Sequence, residues 1–153
     1  MMKLKAFQQK HSHSCIPACI RIVLEYWGFS YTEEELITAC CCLPGTGTLP
    51  EDAVSGIESL GYNALWFEDA NIERLMSLTD NQWPVIIFLY AGDLPYGRSG
   101  LHAVVISNIK NGRVKYIDPS LSKEMTLDLK VFLKAWAVLD NQGIVIWCKD
   151  NTD

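Results

Sequence analysis

The two halves of this 153-residue chain carry different hydrophobic patterns. Apolar residues at helical spacing predict a mostly buried helix over residues 16–27, and further helices from Thr32 to the cysteines at 40–42 and from Pro50 to Gly61. The other predicted elements are strands over 62–67, 85–91, 101–109, 113–118 and 144–149, and helices over 71–78 and 127–137. Because helices dominate the first half and strands the second, we expect an α+β fold with helices packed to one side of an antiparallel sheet.

Length and composition are typical of one globular domain, which we assign to residues 1–153. Hydrophobic residues make up 49% of the chain and charged residues 20%. A chain of this length can bury enough apolar surface to form a core without disulfides or structural metals. The net charge of −5 argues against nucleic acid or an anionic membrane surface as a partner. The longest apolar run, residues 85–91, is far shorter than the roughly 20 residues of a membrane span. The amino terminus lacks the apolar region of a secretory signal.

The six cysteines lie at positions 15, 19, 40, 41, 42 and 148. Three of them are consecutive, and adjacent cysteines do not readily form a disulfide with each other. We therefore expect free thiols, a reducing compartment and a cytoplasmic location. Because consecutive residues on a helix point about 100° apart, the triplet should contain one or two buried thiols and an exposed one.

Cys15 is the first candidate for chemistry, because it lies at the start of a predicted helix. The unpaired N–H groups and the dipole at a helix start favour an anion, here the thiolate that attacks carbonyl carbon. A free cysteine is more often a small buried hydrophobe. Cys19, one turn further along the apolar face, fits that second description.

A nucleophilic thiol needs a base, and His102 is the leading candidate. It follows a glycine-containing loop at residues 97–100 and begins an apolar strand, so it could face a cleft. Asp118 ends the next strand and could orient the imidazole. Taken singly, the histidine could be satisfied by the backbone, and the Asp-Pro pair could simply begin a turn.

The connection between these two strands decides whether the pair can meet. If residues 110–112 form a three-residue hairpin loop, Val104 faces Asp118, and His102 lies two residues along on the same face. A two-residue turn would shift the register by one and set His102 and Asp118 on opposite faces. A catalytic pair therefore requires a loop with an odd number of residues.

Gln9 is the candidate oxyanion donor. It lies six residues before Cys15, so its amide could fold back beside the thiol. Together with the backbone N–H of Cys15, it would stabilise a tetrahedral intermediate. Gln8 is a substitute if the segment shifts by one residue.

Three segments together resemble a known family. Residues 9–28 (QKHSHSCIPACIRIVLEYWG) resemble the amino-terminal motif of the bacteriocin-processing, double-glycine-leader peptidase family of the papain-like clan. Residues 101–120 (LHAVVISNIKNGRVKYIDPS) resemble its histidine and aspartate motif, and residues 45–64 its intervening helix. The resemblance implies a papain-like fold, with a helical half, a sheet half and a cleft between them.

The resemblance also implies a role for each candidate residue. Cys15 would be the nucleophile and His102 the general base and then the acid. Asp118 would orient the histidine, and Gln9 would donate to the oxyanion. The implied activity is that of a cysteine peptidase acting on a peptide or protein substrate, including leader or precursor peptides, with no metal and no organic cofactor.

The chain departs from the family pattern on both sides of the nucleophile. The family commonly has Asp before the cysteine and Gly after it, whereas this chain has Ser14 and Ile16. A branched Ile16 side chain near the thiol would narrow the cleft, so we predict that it contacts substrate. The loop at residues 92–100 would overhang the same cleft, and Tyr96 and Arg98 are its predicted substrate contacts.

Other interpretations stay open. A zinc site could draw on four residues within a short stretch, but this stretch has no Cys-x-x-Cys pair and we predict no metal; the four are His11, His13, Cys15 and Cys19. A papain-like acyltransferase or deamidase would use the same thiol and imidazole, with an amine resolving the acyl-enzyme. A catalytically silent peptide-binding module would use the same cleft without chemistry.

Overall fold

The computed structural model describes residues 2–95 and 100–148. The helices in this part of the chain are α1 (Cys15–Tyr26), α2 (Glu33–Ala39), α3 (Pro50–Ser59), α4 (Ile72–Asp80) and α5 (Leu129–Val138). The strands are β1 (Tyr62–Phe67), β2 (Val85–Tyr90), β3 (Leu101–Lys110), β4 (Arg113–Asp118), β5 (Lys123–Asp128) and β6 (Gly143–Cys148). They form one antiparallel sheet in the order β1-β6-β2-β3-β4-β5. Across the described residues, no helix combines the length and apolar character that crossing a membrane requires.

The predicted α+β class is confirmed, but helices cover both faces of the sheet. Phe88 of β2 and Val105 of β3 pack in a core with α1, α2 and α3. Their neighbours Ile87 and Val104 point the other way, into a second core with α4 and α5. The one-sided arrangement expected from the sequence therefore holds only for the first three helices. The central strands are apolar at nearly every position, and such strands need cover on both faces.

Helix α1 is buried on more than one side, as its periodicity predicts. It ends where Gly28 adopts a left-handed backbone with φ of 99°. The N–H of Gly28 donates to Glu25 O at 3.0 Å, and the N–H of Phe29 donates to Leu24 O at 2.9 Å. This Schellman pattern satisfies the last carbonyls of the helix, so Gly28 is the predicted stop signal.

The start of α2 is also as predicted. The Thr32 side chain accepts a hydrogen bond from Glu35 N at 3.1 Å, and Glu35 Oε1 accepts one from Thr32 N at 2.8 Å. This reciprocal capping box fixes the entry into α2. The first helical residue is then Glu33, whose side chain is buried and enters the candidate site.

The hairpin between β3 and β4 does not have the odd-numbered loop that the catalytic pair was expected to require. Lys110 pairs with Arg113, so the turn contains only Asn111 and Gly112. Both have positive φ, 54° and 72°, as a two-residue type I′ turn requires. This is the two-residue alternative, and Asn-Gly is a strong sequence signal for such a turn.

A β-bulge nevertheless restores the register that brings the two polar residues together. The ladder is interrupted at Ser107, which adds one residue to β3. Beyond the bulge Val105 pairs with Ile117, so His102 and Asp118 project from the same face. His102 and Asp118 are thus brought to the same face of the sheet by the bulge within β3 and not by the length of the loop.

Strand β5 was missed by the sequence analysis. Most of its side chains are exposed and polar, and Leu127 is the buried one. An edge strand of this kind carries little apolar signal. Helix α5 begins at Leu129 instead of 127, because Asp128 caps it by accepting a hydrogen bond from Lys130 N at 2.8 Å.

Candidate active site

Cys15 is the first residue of α1 and is partly exposed. The first N–H groups of a helix have no partner within the helix, and the amide of Cys15 is one of them. Its neighbour Ser14 is the N-cap residue but makes no side-chain cap. The local sequence therefore places the Cys15 thiol at the N-terminus of α1, where the helix dipole has its positive end.

His102 and Asp118 are in direct contact. Nε2 of His102 lies 2.6 Å from Oδ1 of Asp118. The imidazole is 14% exposed and the carboxylate fully buried. A short bond of this kind between a ring nitrogen and a buried carboxylate fixes the orientation of the imidazole.

Ser120 holds the same carboxylate oxygen and was not singled out from the sequence. Its backbone N–H and its hydroxyl donate to Asp118 Oδ1 at 2.8 and 2.7 Å. An Asp side chain that accepts a hydrogen bond from the N–H two residues later forms an Asx turn. The sequence Asp118-Pro119-Ser120 could therefore have indicated this contact. Asp118 therefore both begins a turn and contacts His102.

His102 also interacts with Cys15. Because Nε2 contacts Asp118, Nδ1 is the ring nitrogen left for the thiol. Burial lowers the pKa of His102, but side-chain hydrogen bonds to Asp118 and Cys15, together with their negative charges, raise it more, to about 9. The imidazole is therefore protonated at neutral pH.

Gln9 lies at the site, with its amide bound to its own segment. Its backbone N–H donates to Pro119 O at 2.8 Å, next to Asp118. Nε2 donates to His11 O at 2.8 Å, and the buried Oε1 has no partner among the described residues. One Nε2 hydrogen thus remains for another acceptor, although no described hydrogen bond joins Gln9 to Cys15. Gln8 is exposed and donates to Ser120 O at 2.8 Å.

Comparison with known protein families decides the relationship. The sequence profile described as "Peptidase C39 family" matches residues 3–153. The chain belongs to the peptidase C39 family. This confirms the predicted family of papain-like cysteine peptidases, whose double-glycine members the sequence motifs resemble.

Solved structures of C39 peptidases share the fold. The peptidase domain of Streptococcus ComA, a bi-functional ABC transporter, is 21% identical, with a TM-score of 0.78 over 97% of this chain and 100% of that one. A putative C39-like peptidase from Bacillus anthracis is 16% identical, with a TM-score of 0.76 over 96% and 98%. A double glycine motif protease from an AMS/PCAT transporter is 15% identical, with a TM-score of 0.71 over 95% and 91%. A search of curated proteins found no match. The predicted papain-like fold is therefore confirmed.

The departure from the C39 pattern at Ser14 has a structural counterpart. The Ser14 hydroxyl donates to Oε2 of Glu33 at 2.8 Å, and both side chains are buried. A carboxylate from α2 thus lies beside the position where the family commonly has Asp. The sequence indicated only that Glu33 lies in an acidic first turn, because its burial depends on how α2 packs against α1.

The structure describes one of the three predicted substrate contacts of this C39 family member. Ile16 is only 4% exposed and packs in a core with other buried residues of α1, and its contact with substrate stays a prediction. Tyr96 and Arg98 lie outside the described residues and stay predictions.

The residues considered for zinc do not gather around one point. His11 and His13 stack with ring centroids 5.2 Å apart, and His11 Nε2 lies 3.5 Å from Glu34 Oε2. Cys19 is fully buried, and its pKa is raised by burial, with smaller contributions from Cys15 and Asp118. Within residues 2–95 and 100–148, no three His, Cys, Asp or Glu side chains form a metal-ligand cluster.

All six cysteines are free. In the triplet Cys40 and Cys42 are buried and Cys41 is exposed, as predicted. Burial raises the pKa of Cys40 to about 12 and also raises the pKa of Cys42. The buried members are therefore protonated thiols at neutral pH, and Cys15 differs from them by its exposure and its histidine neighbour.

Proposed function

We propose that this C39 family member is a cysteine peptidase that hydrolyses peptide bonds, with leader or precursor peptides as its substrates. The observation that carries the proposal is the position of His102, whose Nε2 lies 2.6 Å from Asp118 Oδ1 and which also interacts with the Cys15 side chain. A thiol, an imidazole and a carboxylate in this sequence of contacts are the parts of a nucleophile, a proton carrier and its orienting group.

The reaction follows from these contacts. The Cys15 thiolate attacks the carbonyl carbon of the scissile peptide, and the negative charge moves to the carbonyl oxygen. The Cys15 backbone N–H and the second hydrogen of Gln9 Nε2 donate to that oxygen. His102 then gives its proton to the leaving amine, and the acyl-enzyme forms. In the second half water attacks the thioester carbon and gives a proton to His102, the C–S bond breaks, and the Cys15 thiolate leaves as the carboxylic acid product is released.

The proposed substrate class rests on the family and on one relative. The double glycine motif protease of the AMS/PCAT transporter was crystallised with a leader peptide. We extend this class of ligand to the present chain as its substrate. Six free cysteines suit a reducing compartment, so the proposed location is the cytoplasm.

Peptide cleavage in heavy-oxygen (¹⁸O) water tests the proposal and its chemical rival together. Synthetic precursor peptides with a Gly-Gly junction are incubated with the protein, and the products are identified by mass spectrometry. We expect cleavage after the second glycine, with one heavy oxygen in the new carboxyl group, because water resolves the acyl-enzyme. The matched control replaces both glycines with valine.

Two outcomes of that assay contradict the proposal. A product joined to an added amine, without heavy oxygen, would identify an acyltransferase. Binding of the peptide with no product at any concentration of protein would identify a peptide-binding module.

The pH dependence of cleavage should follow His102. Because the pKa of His102 is raised from 6.5 to about 9, we expect kcat/KM to fall as the pH rises through about 9, where the imidazolium is lost. The same sign holds for stability: this group's contribution is complete below pH 6.5 and disappears as the pH rises through about 9.

Asp118→Asn provides the contrast. The amide keeps an oxygen for Ser120 and His102 but removes the negative charge, so the pKa of His102 and the alkaline fall in kcat/KM should move to lower pH. The pH–rate profiles of the two proteins provide the measurement. Identical alkaline limbs would show that this pair does not control the reaction.

A further inference from the structure

The segment between the candidate oxyanion donor and the candidate nucleophile has no regular structure of its own. Residues 10–14 form neither helix nor strand. Yet an oxyanion hole requires its donors at a fixed distance from the attacking sulfur, and a misplacement of about 1 Å can lower a rate by about 10²-fold. Within the segment, Ser14 N donates to His11 O at 3.2 Å and His11 N donates to Ser14 Oγ at 3.1 Å, so any further restraint on the spacing between Gln9 and Cys15 comes from contacts outside it.

One carboxylate oxygen contacts both ends of this segment. Oε2 of Glu33 accepts a hydrogen bond from Lys10 N at 2.8 Å and another from Ser14 Oγ at 2.8 Å. Lys10 follows Gln9 directly, and Ser14 precedes Cys15 directly. The oxygen thus bridges the residues adjoining the two candidate catalytic groups.

The burial of Glu33 indicates a specific role for this carboxylate. Glu33 is fully buried, and its second oxygen, Oε1, has no partner among the described residues. A buried carboxylate with one unpaired oxygen lowers the stability of a fold relative to an apolar side chain of the same size. Its neighbours Glu34 and Glu35 are exposed on the same helix, as helix-start acids normally are.

We propose that Glu33 is a positioning residue of the active site, which fixes the spacing of Gln9 and Cys15 by holding Lys10 N and Ser14 Oγ on one oxygen. This inference rests on the proposed peptidase function. It assigns to Glu33 no contact with substrate and no proton transfer. Its loss should therefore lower kcat through the oxyanion hole and leave substrate binding and the thiol unchanged.

Glu33→Met tests the inference, because methionine has nearly the same size but accepts no strong hydrogen bond. We expect kcat for a cleavable peptide to fall by about 10- to 100-fold, with KM within about twofold. The rate at which iodoacetamide alkylates Cys15 should also stay within about twofold, because alkylation forms no oxyanion.

Two further variants define the cause. Glu33→Gln keeps an oxygen that can accept both hydrogen bonds, so it should retain kcat within about threefold. Glu34→Gln is the matched surface control: its carboxylate pairs with the side chains of Lys10 and His11, at 3.2 and 3.5 Å, and the change should leave kcat unaltered. Folding of every variant is checked by thermal unfolding.

The outcomes separate this inference from the proposed function. If the wild-type protein shows no cleavage that depends on Cys15, both fail. If the wild-type protein cleaves and folded Glu33→Met has the same kcat, only the role of Glu33 is refuted. A folded Glu33→Gln that is as slow as Glu33→Met would also refute it, because charge and not the two hydrogen bonds would then matter. If Glu33→Met does not fold, Ser14→Ala decides: it removes one of the two bonds, and an unchanged kcat would overturn the proposal.

Discussion

The Cys15→Ala variant should lose peptide cleavage, with kcat/KM falling by on the order of 10⁴-fold or more. The reason is that His102 interacts with the thiol of Cys15. Cys19 is fully buried and burial raises its pKa, so it offers neither access nor a thiolate. Mass spectrometry of the cleavage products provides the measurement, with wild-type protein at the same concentration for comparison.

The fold should survive this change. Cys15 is partly exposed, and removing one sulfur there should alter the free energy of unfolding by about 1 kcal/mol or less. Cys41→Ala is the matched control, because Cys41 is an exposed thiol remote from His102 in sequence and its loss should leave cleavage unchanged. Cleavage by Cys15→Ala at the wild-type rate would exclude Cys15 as the nucleophile.

Elements with a strong local signal were predictable from the sequence. The bounds of β1 and β4 agree with the predicted residues 62–67 and 113–118, and the capping box at Thr32 is present. In each of these the residues that determine the element are neighbours in sequence. β5 was missed because its pairing with β4, and not its own apolar content, makes it a strand.

The meeting of His102 with Asp118 depended on register, which is where the sequence argument was weakest. The expected condition of an odd-numbered loop is not met, and the bulge at Ser107 compensates for the two-residue turn. The sequence contained an indication of the bulge, since Ser107 is a polar residue within an apolar strand. It is 3% exposed, and its hydroxyl donates to Lys115 O at 3.3 Å. A bulge site is difficult to identify from one strand, because it is defined by the partner strand.

The supporting residues could not be predicted, for a related reason. Glu33 lies 19 positions from Ser14 in the chain, and the contact between them is created by packing of α2 against α1. Nothing local distinguishes Glu33 from Glu34 and Glu35, which are exposed. Cys15 and His102 could be predicted because each lies at the start of a helix or strand. Glu33, which contacts both ends of the segment at residues 10–14, could be identified only from the tertiary structure.

His102→Ala should lower kcat/KM by about 10³-fold and also slow the alkylation of Cys15 by iodoacetamide at neutral pH. Both effects have one cause. The imidazole, protonated because of its bonds to Asp118 and Cys15, favours the thiolate electrostatically and supplies the proton that the leaving amine needs. The two rates report these roles separately, since alkylation requires the thiolate but no proton donor.

A matched histidine makes the test specific. His11→Ala removes an exposed imidazole that pairs with Glu34, while the His11 carbonyl that Gln9 and Ser14 contact remains. Both rates should therefore stay at wild-type values in His11→Ala. In His102→Ala the carboxylate of Asp118 retains its two hydrogen bonds from Ser120, so the turn after β4 should persist. Unchanged alkylation together with slow cleavage would restrict His102 to proton transfer, and unchanged values of both rates would rule out the proposed triad.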